Sequence, residues 1–168
     1  MPSPEACATA ANIVNDVLHR GHSLDSTAAK MLKPQPPESH SEIREIAWGS
    51  VRWAYRYRCL LRQKLHKPIR SRDTILENLL LCAFYQYEHL DAPDYAITSG
   101  TVEASCLLGR GHAKNLINGV LRAHLRDPAS ITTGQEEARY ATPMWLLSCL
   151  RKAWPDAWNN IVDSYNSR

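Results

Sequence analysis

The sequence has no paired-cysteine motif, no long apolar run and no alternating stretch of β-branched and aromatic residues. Each absence removes a class of protein. The five cysteines, Cys7, Cys59, Cys82, Cys106 and Cys149, are odd in number and widely spaced, without a C-x-x-C pair. That pattern is poor for a disulfide framework or a zinc site. It reads as five reduced thiols in a cytoplasmic protein, most of them small core fillers. No stretch approaches the roughly 18 apolar residues of a membrane span. Met1 to Ala11 has no basic region ahead of an apolar one, so no secretion signal is expected. With no strand-like alternation and with Leu and Ala dominant, helix is the expected structure.

Enzyme signatures are missing too. Gly109 and Gly111 have no strand before them, so no dinucleotide or S-adenosylmethionine loop is expected there. There is no His-Glu-x-x-His or Ser-x-x-Lys pattern, the seven histidines are scattered, and no cysteine lies beside an obvious base. The sequence nominates no catalytic residue, no cofactor-binding residue and no metal ligand.

What remains is ample for a fold. At 168 residues the chain is one ordinary domain with room for a short appendage, and it buries roughly two thirds of its unfolded surface. An apolar fraction of 44% with 22% charged residues is that of a globular protein.

The net charge is only +3, but it is unevenly spread. Between Arg44 and Arg72 lie nine basic residues and one acid, Glu45. That window carries about +8 and leaves about −5 for the rest. A basic stripe on a nearly neutral protein is either a footprint for a polyanion or a solvated helix face.

Helical periodicity runs along most of the chain. A helix is predicted over 5–19, with Ala10, Ile13, Val14, Val17 and Leu18 on one side and Gly21 as its stop. A short helix over 25–32 follows, then the proline-rich loop 33–38. Ser39 and Glu42 form a predicted capping box that opens a long helix. Its buried arc holds Ile43, Ile46, Ala47, Ser50, Trp53, Ala54, Tyr57, Leu61 and Leu65. Gly49 lies inside it, where a close helix crossing would account for a glycine. Pro68 ends the pattern. Helices are then expected from Ser71 or Asp73 to His89 (apolar over most of its girth, hence central), over 93–108, and on to about Leu125. Residues 129–142 look like a connector. A tryptophan-rich pair of helices is expected over 143–153 and 156–164.

Opposite the buried arc of the long helix lie Arg44, Trp48, Arg52, Tyr55, Arg56 and Arg62. Arginine grips phosphate in a bidentate fork and stacks on bases, and aromatic neighbours add stacking platforms. The mixture suits structured or single-stranded RNA. Arg44, Arg52, Tyr55, Arg56 and Arg62 are the candidate RNA contacts. Trp48 has the size to lie under a neighbouring helix instead, and Arg52 the position to act as a structural arginine.

Three stretches carry a family resemblance. E-I-A-W-G-S-V-R (Glu45–Arg52), A-P-D-Y-A-I-T-S-G-T-V-E-A-S (Ala92–Ser105) and L-I-N-G-V-L-R (Leu116–Arg122) resemble blocks of the NusB-like fold. The tail, with Thr142-Pro143-Met144-Trp145-Leu146 and Tyr165-Asn166-Ser167-Arg168, is similar to one branch, the RsmB (Sun/Fmu) family of small-subunit rRNA cytosine-C5 methyltransferases. The resemblance implies an all-α bundle of two packed three-helix subdomains over 1–128, plus a helical extension over 129–168. It implies RNA docking by this chain, with S-adenosylmethionine and the cysteine nucleophile held by a C-terminal methyltransferase domain of the same polypeptide. On that reading the chain is an N-terminal fragment, inactive alone, and Trp145, Trp154 and Trp158 face the catalytic domain. Two alternatives stand beside it: a free-standing NusB-type antitermination factor, and a helical scaffold whose stripe contacts protein.

Overall fold

The computed structural model describes residues 3–127 and 135–167. Among these there is no strand, and the helices are α1 (Pro4–Arg20), α2 (Leu24–Leu32), α3 (His40–Arg52), α4 (Ala54–Lys64), α5 (Thr74–His89), α6 (Asp94–Leu107), α7 (Lys114–Arg126), α8 (Glu136–Arg139), α9 (Met144–Ala153) and α10 (Trp158–Asn166). The all-helical expectation holds.

Helix α1 begins at Ser3, whose side chain accepts from the Ala6 N–H at 3.1 Å. Pro4 follows at a position where its missing N–H costs nothing. Gly21 ends it with a φ of +69°, a left-handed turn that glycine adopts without strain. The periodicity predicts a one-sided helix. The structure instead buries α1 nearly all round from Ala6 to Val14, against α2, α3, α5 and α6. Its alanines admit four neighbours at close range, and alanine leaves almost no periodic signal. Helix α5 is central as expected, buried without interruption from Asn78 to Gln86.

The predicted long helix is two helices. Trp53, with φ −95° and ψ 10°, separates α3 from α4, and its ring stacks on His89 of α5 at 5.7 Å. The break keeps both halves on the core: α3 lies on α1 and α5, and α4 on α5, α7 and α8. The capping box does not form. Ser39 ends a 3-10 turn (Pro37–Ser39) with helical φ and ψ, and its hydroxyl donates back to the Pro36 carbonyl at 2.7 Å. An N-cap needs extended backbone, which this proline-led turn denies it. Gly49 does mark a close crossing, since a Cβ there would lie 2.0 Å from the Tyr85 ring.

Only Cys7 and Cys82 of the five cysteines are buried. Cys59 is half-buried and Cys106 and Cys149 are exposed, all as free thiols. The expectation that most are core fillers is corrected, because these three lie on outward faces of their helices.

Phe84 stacks on His124 of α7 at 4.3 Å and meets Tyr57 edge-on at 6.1 Å. His124 is buried, and its Nδ1 has no hydrogen-bond partner among the described residues. Burial holds the His124 pKa below the ordinary imidazole value. Lys64 and Arg56 push the same way, while Glu88 and Asp127 oppose them. A depressed histidine pKa means that the unfolded chain takes up the proton first as pH falls. His124 therefore contributes stability above pH 6.5 that is lost on acidification. We expect His124→Leu to flatten the fall in melting temperature between pH 7 and 5. An unchanged slope would remove His124 as a source of it. Part of the slope should survive, since burial and Arg58 lower the His19 pKa in the same direction.

The expected 128/129 boundary lies outside the described residues. The rest of the expected connector contains a helix, α8, whose Ala138 is buried where α8 lies on α4. Helices α9 and α10 form a second, small core of Leu147, Leu150 and Val162, walled by Tyr140, Leu146, Trp158 and Ile161. Polar clasps close it. Arg151 grips Glu136 in a fork at 2.6 and 3.1 Å and lies 4.2 Å over the Trp158 ring.

Candidate nucleic-acid interface

The basic stripe is dispersed by tertiary structure. Arg58 pairs with Glu77 at 2.8 Å, Lys64 with Asp127 at 2.9 Å, Arg56 with Glu88 at 3.4 Å and Arg72 with Asp73 at 3.7 Å. The Tyr57 hydroxyl also donates to Glu88 at 3.2 Å. Burial and the neighbouring Glu88 carboxylate push the Tyr57 pKa up, so it remains a donor. Arg56 is thus half-buried and tied across α4 to α5. It serves the fold before any ligand.

The other candidates fall into two places. Arg44 and Arg52 are exposed on α3, and both line one open groove of about 740 Å³. Trp48 forms part of its wall, half-buried against the main core. Gly49 and the Tyr85 ring line the same groove, and the Tyr85 hydroxyl donates to Glu45. Tyr55 and Arg62 are exposed on α4 and line a separate crevice of about 340 Å³ toward α8, where Glu136 and Glu137 also lie. None of the ion pairs among the described residues takes up Arg44, Arg52 or Arg62. The α3 groove therefore offers two guanidinium groups and an indole to a ligand. The α4 crevice sets the guanidinium groups of Arg62 and the Glu77-paired Arg58 against the carboxylates of Glu137 and the Arg151-paired Glu136, which leaves little net positive charge for a polyanion.

The break at Trp53 explains the separation. Sequence reasoning assumed one helix and therefore one face, and it missed Tyr85, which reaches the groove from α5. The signal available was Gly49, which required a large neighbour.

Cys7 and Cys82 are poorly suited as nucleophiles. Burial pushes the pKa of both Cys7 and Cys82 up to about 12, whereas a reactive thiol needs a lowered one. No group of three His, Cys, Asp or Glu residues suited to a metal ion occurs among the described residues.

Residues 5–126, which span α1 to α7, match the NusB family. The chain belongs to the NusB family. Its curated relatives are longer proteins. A probable ribosomal RNA small subunit methyltransferase B of Coxiella burnetii is 34% identical over 164 residues, covering 96% of this chain and 37% of the relative. The ribosomal RNA small subunit methyltransferases B of Vibrio vulnificus and Klebsiella pneumoniae (strain 342) are each 29% identical, covering 96% and 95% of this chain and 38% and 37% of theirs. These matches take in α8 to α10 as well as the NusB-family region. The chain spans less than two fifths of the length of these relatives. No helix among the described residues is long and apolar enough to cross a membrane.

Proposed function

We propose that this chain is the N-terminal RNA-docking part of a cytoplasmic, S-adenosylmethionine-dependent small-subunit rRNA (cytosine-5) methyltransferase, and that it grips rRNA in the α3 groove. The observation that carries the site is the grouping of Arg44, Trp48 and Arg52, with neither arginine in an ion pair among the described residues. The guanidinium groups would hold phosphates, and the indole edge would meet an unstacked base. The relatives support the enzyme class, and the match through α8–α10 favours it over a free-standing antitermination factor. Binding of the chain to a small-subunit rRNA transcript, measured from low to physiological salt, tests the docking role. Affinity should fall steeply with salt, because the counterions released on binding gain less entropy as the salt concentration rises. Absent or salt-independent binding overturns it and leaves the scaffold reading.

On this reading cofactor and nucleophile belong to the catalytic domain, outside this chain. We expect no methyl transfer when the pure chain meets labelled S-adenosylmethionine and unmodified small-subunit rRNA. Stoichiometric labelling of the RNA would refute that.

The α9–α10 unit is the proposed seat of the catalytic domain. Trp145 and Trp154 are 68% and 54% exposed, and uncovered indoles of this kind dominate interface energetics. Trp158 differs, because it is half-buried in the small core against Tyr140 and Arg151. Trp145→Ala should speed proteolysis at the interdomain junction of the full-length enzyme. Unchanged cleavage would leave Trp145 without this role, and Trp158→Ala should instead melt α9 and α10.

A further inference from the structure

A second groove, with no lining residue in common with the RNA candidate, has a different chemistry. It lies between the irregular segment 65–73 and α7 and encloses about 890 Å³. Its floor is aliphatic: Leu65, Ile69, Leu76, Leu116, Val120 and Ala123. Leu116 belongs to the family-like L-I-N-G-V-L-R block yet is 42% exposed, turned away from the main core. Gly119 adds open space on the same stretch of α7, with no atom within 4 Å of where its Cβ would be.

The rim is cationic. Lys67, Arg70 and Arg126 are exposed and enter no ion pair among the described residues. The acid at one end, Asp73, is already held by Arg110 at 3.1 Å and Arg72 at 3.7 Å. Lys64 lines the other end, 7% exposed and fixed by the Asp127 carboxylate and carbonyl. The groove is therefore apolar beneath and positive along its edge.

We infer that this groove docks an acidic amphipathic helix of a protein partner. Apolar side chains at i, i+3 or i+4, and i+7 would enter the aliphatic floor, the usual geometry of helix-in-groove recognition. Carboxylates on the flanks would meet Lys67, Arg70 and Arg126, setting orientation and steering encounter. RNA fits less well, because six aliphatic side chains make up the floor and no Phe, Tyr or Trp ring lines the groove, whose two imidazoles are those of His66 and His112. The inference is independent of the RNA reading of α3, which uses other residues.

The test is a random peptide library displayed on phage and panned against the whole chain at low salt. The enriched sequences should combine Asp or Glu with Leu, Ile or Phe at helical spacing. Their synthetic versions should lose roughly tenfold or more in affinity with Leu116→Asp and with Arg70→Glu, while Arg44→Glu leaves them unaffected. Both substituted side chains are exposed, and circular dichroism melts should match the wild type. If Leu116→Asp does unfold the chain, Arg70→Glu and Arg126→Glu carry the test. No enrichment, enrichment of basic or non-amphipathic sequences, or equal binding to the variants overturns the inference. So does a result in which these variants abolish binding of polyuridine RNA and not of peptide, which would make the groove a nucleic-acid surface.

Discussion

Reversing the charge at Arg44 and Arg52 together should cost this chain most of its RNA affinity. Each arginine that leaves a phosphate forfeits a charge-assisted hydrogen bond worth about 1.5–3 kcal/mol. The low end is about tenfold per contact, so the double variant should bind roughly a hundredfold more weakly. The salt dependence should flatten as well, by roughly 0.7–0.9 in slope per phosphate released. Because phosphate contacts carry little sequence information, the loss should be similar across unrelated RNAs. The fold should be untouched: both side chains are exposed and outside the ion-pair network of the described residues. Arg62→Glu is the internal control. It faces Glu136 and Glu137 across the α4 crevice, so its reversal should change RNA binding far less. Arg56→Glu should behave differently again, since it places a second carboxylate against Glu88 and Tyr57 and should lower the melting temperature. Should Arg62→Glu weaken RNA binding as much as the α3 pair, the site lies along α4 and the assignment to the α3 groove is wrong.

The largest loss of stability should come from Gly49→Leu, which drives a side chain into the Tyr85 ring at the edge of the main core. A Cβ at this position meets Tyr85 ring atoms at 2.0, 2.1 and 2.6 Å. The ring is itself confined, 4% exposed, bonded to Glu45 and tilted against His89 at 4.7 Å. Leucine brings a helix-propensity gain of about 1 kcal/mol over glycine. Overpacking of such a contact costs about 3 kcal/mol or more at this size, so the variant should be less stable by at least about 2 kcal/mol. A denaturant melt of Gly49→Leu, Tyr85→Ala and the double variant isolates the cause. If the steric account is right, the double variant is more stable than the sum of the singles by about 1–3 kcal/mol. Strict additivity would show that the glycine is there for another reason. The same substitution should also disturb RNA binding, because Gly49 and Tyr85 line the groove between Arg44 and Arg52.

Both experiments turn on a residue that the sequence alone could only half interpret. Gly49 stood out because a helix interior disfavours glycine, and that pointed to a close crossing. The partner in the crossing, Tyr85, was unreadable, since nothing in a one-dimensional pattern says which of several helices passes over position 49. Arg56 shows the converse. On a helical wheel it is one of several outward arginines. In the fold it is held by Glu88, 32 residues away, a contact that no spacing encodes.

By itself the sequence determined the fold class, the approximate helix order, the central place of α5 and the three blocks that mark the family. These follow from local terms: apolar periodicity at 3.6 residues, proline and glycine at helix ends, and side-chain types at fixed short spacing. Only the tertiary structure decided that the predicted long helix breaks at Trp53, that α1 is buried nearly all round, and that nine cations do not make one stripe. Trp53 carries no proline or glycine signal and the apolar phase runs through it unchanged, so the break answers to packing on α5. The cations were sorted by carboxylates distant in sequence, Glu77, Glu88 and Asp127, and charge pairing acts through space. Of the nine, Arg44 and Arg52 were left outside the ion pairs of the described residues on α3, Arg62 on α4, and Lys67 and Arg70 at the second groove beside Arg126, so each grouping is a property of the fold.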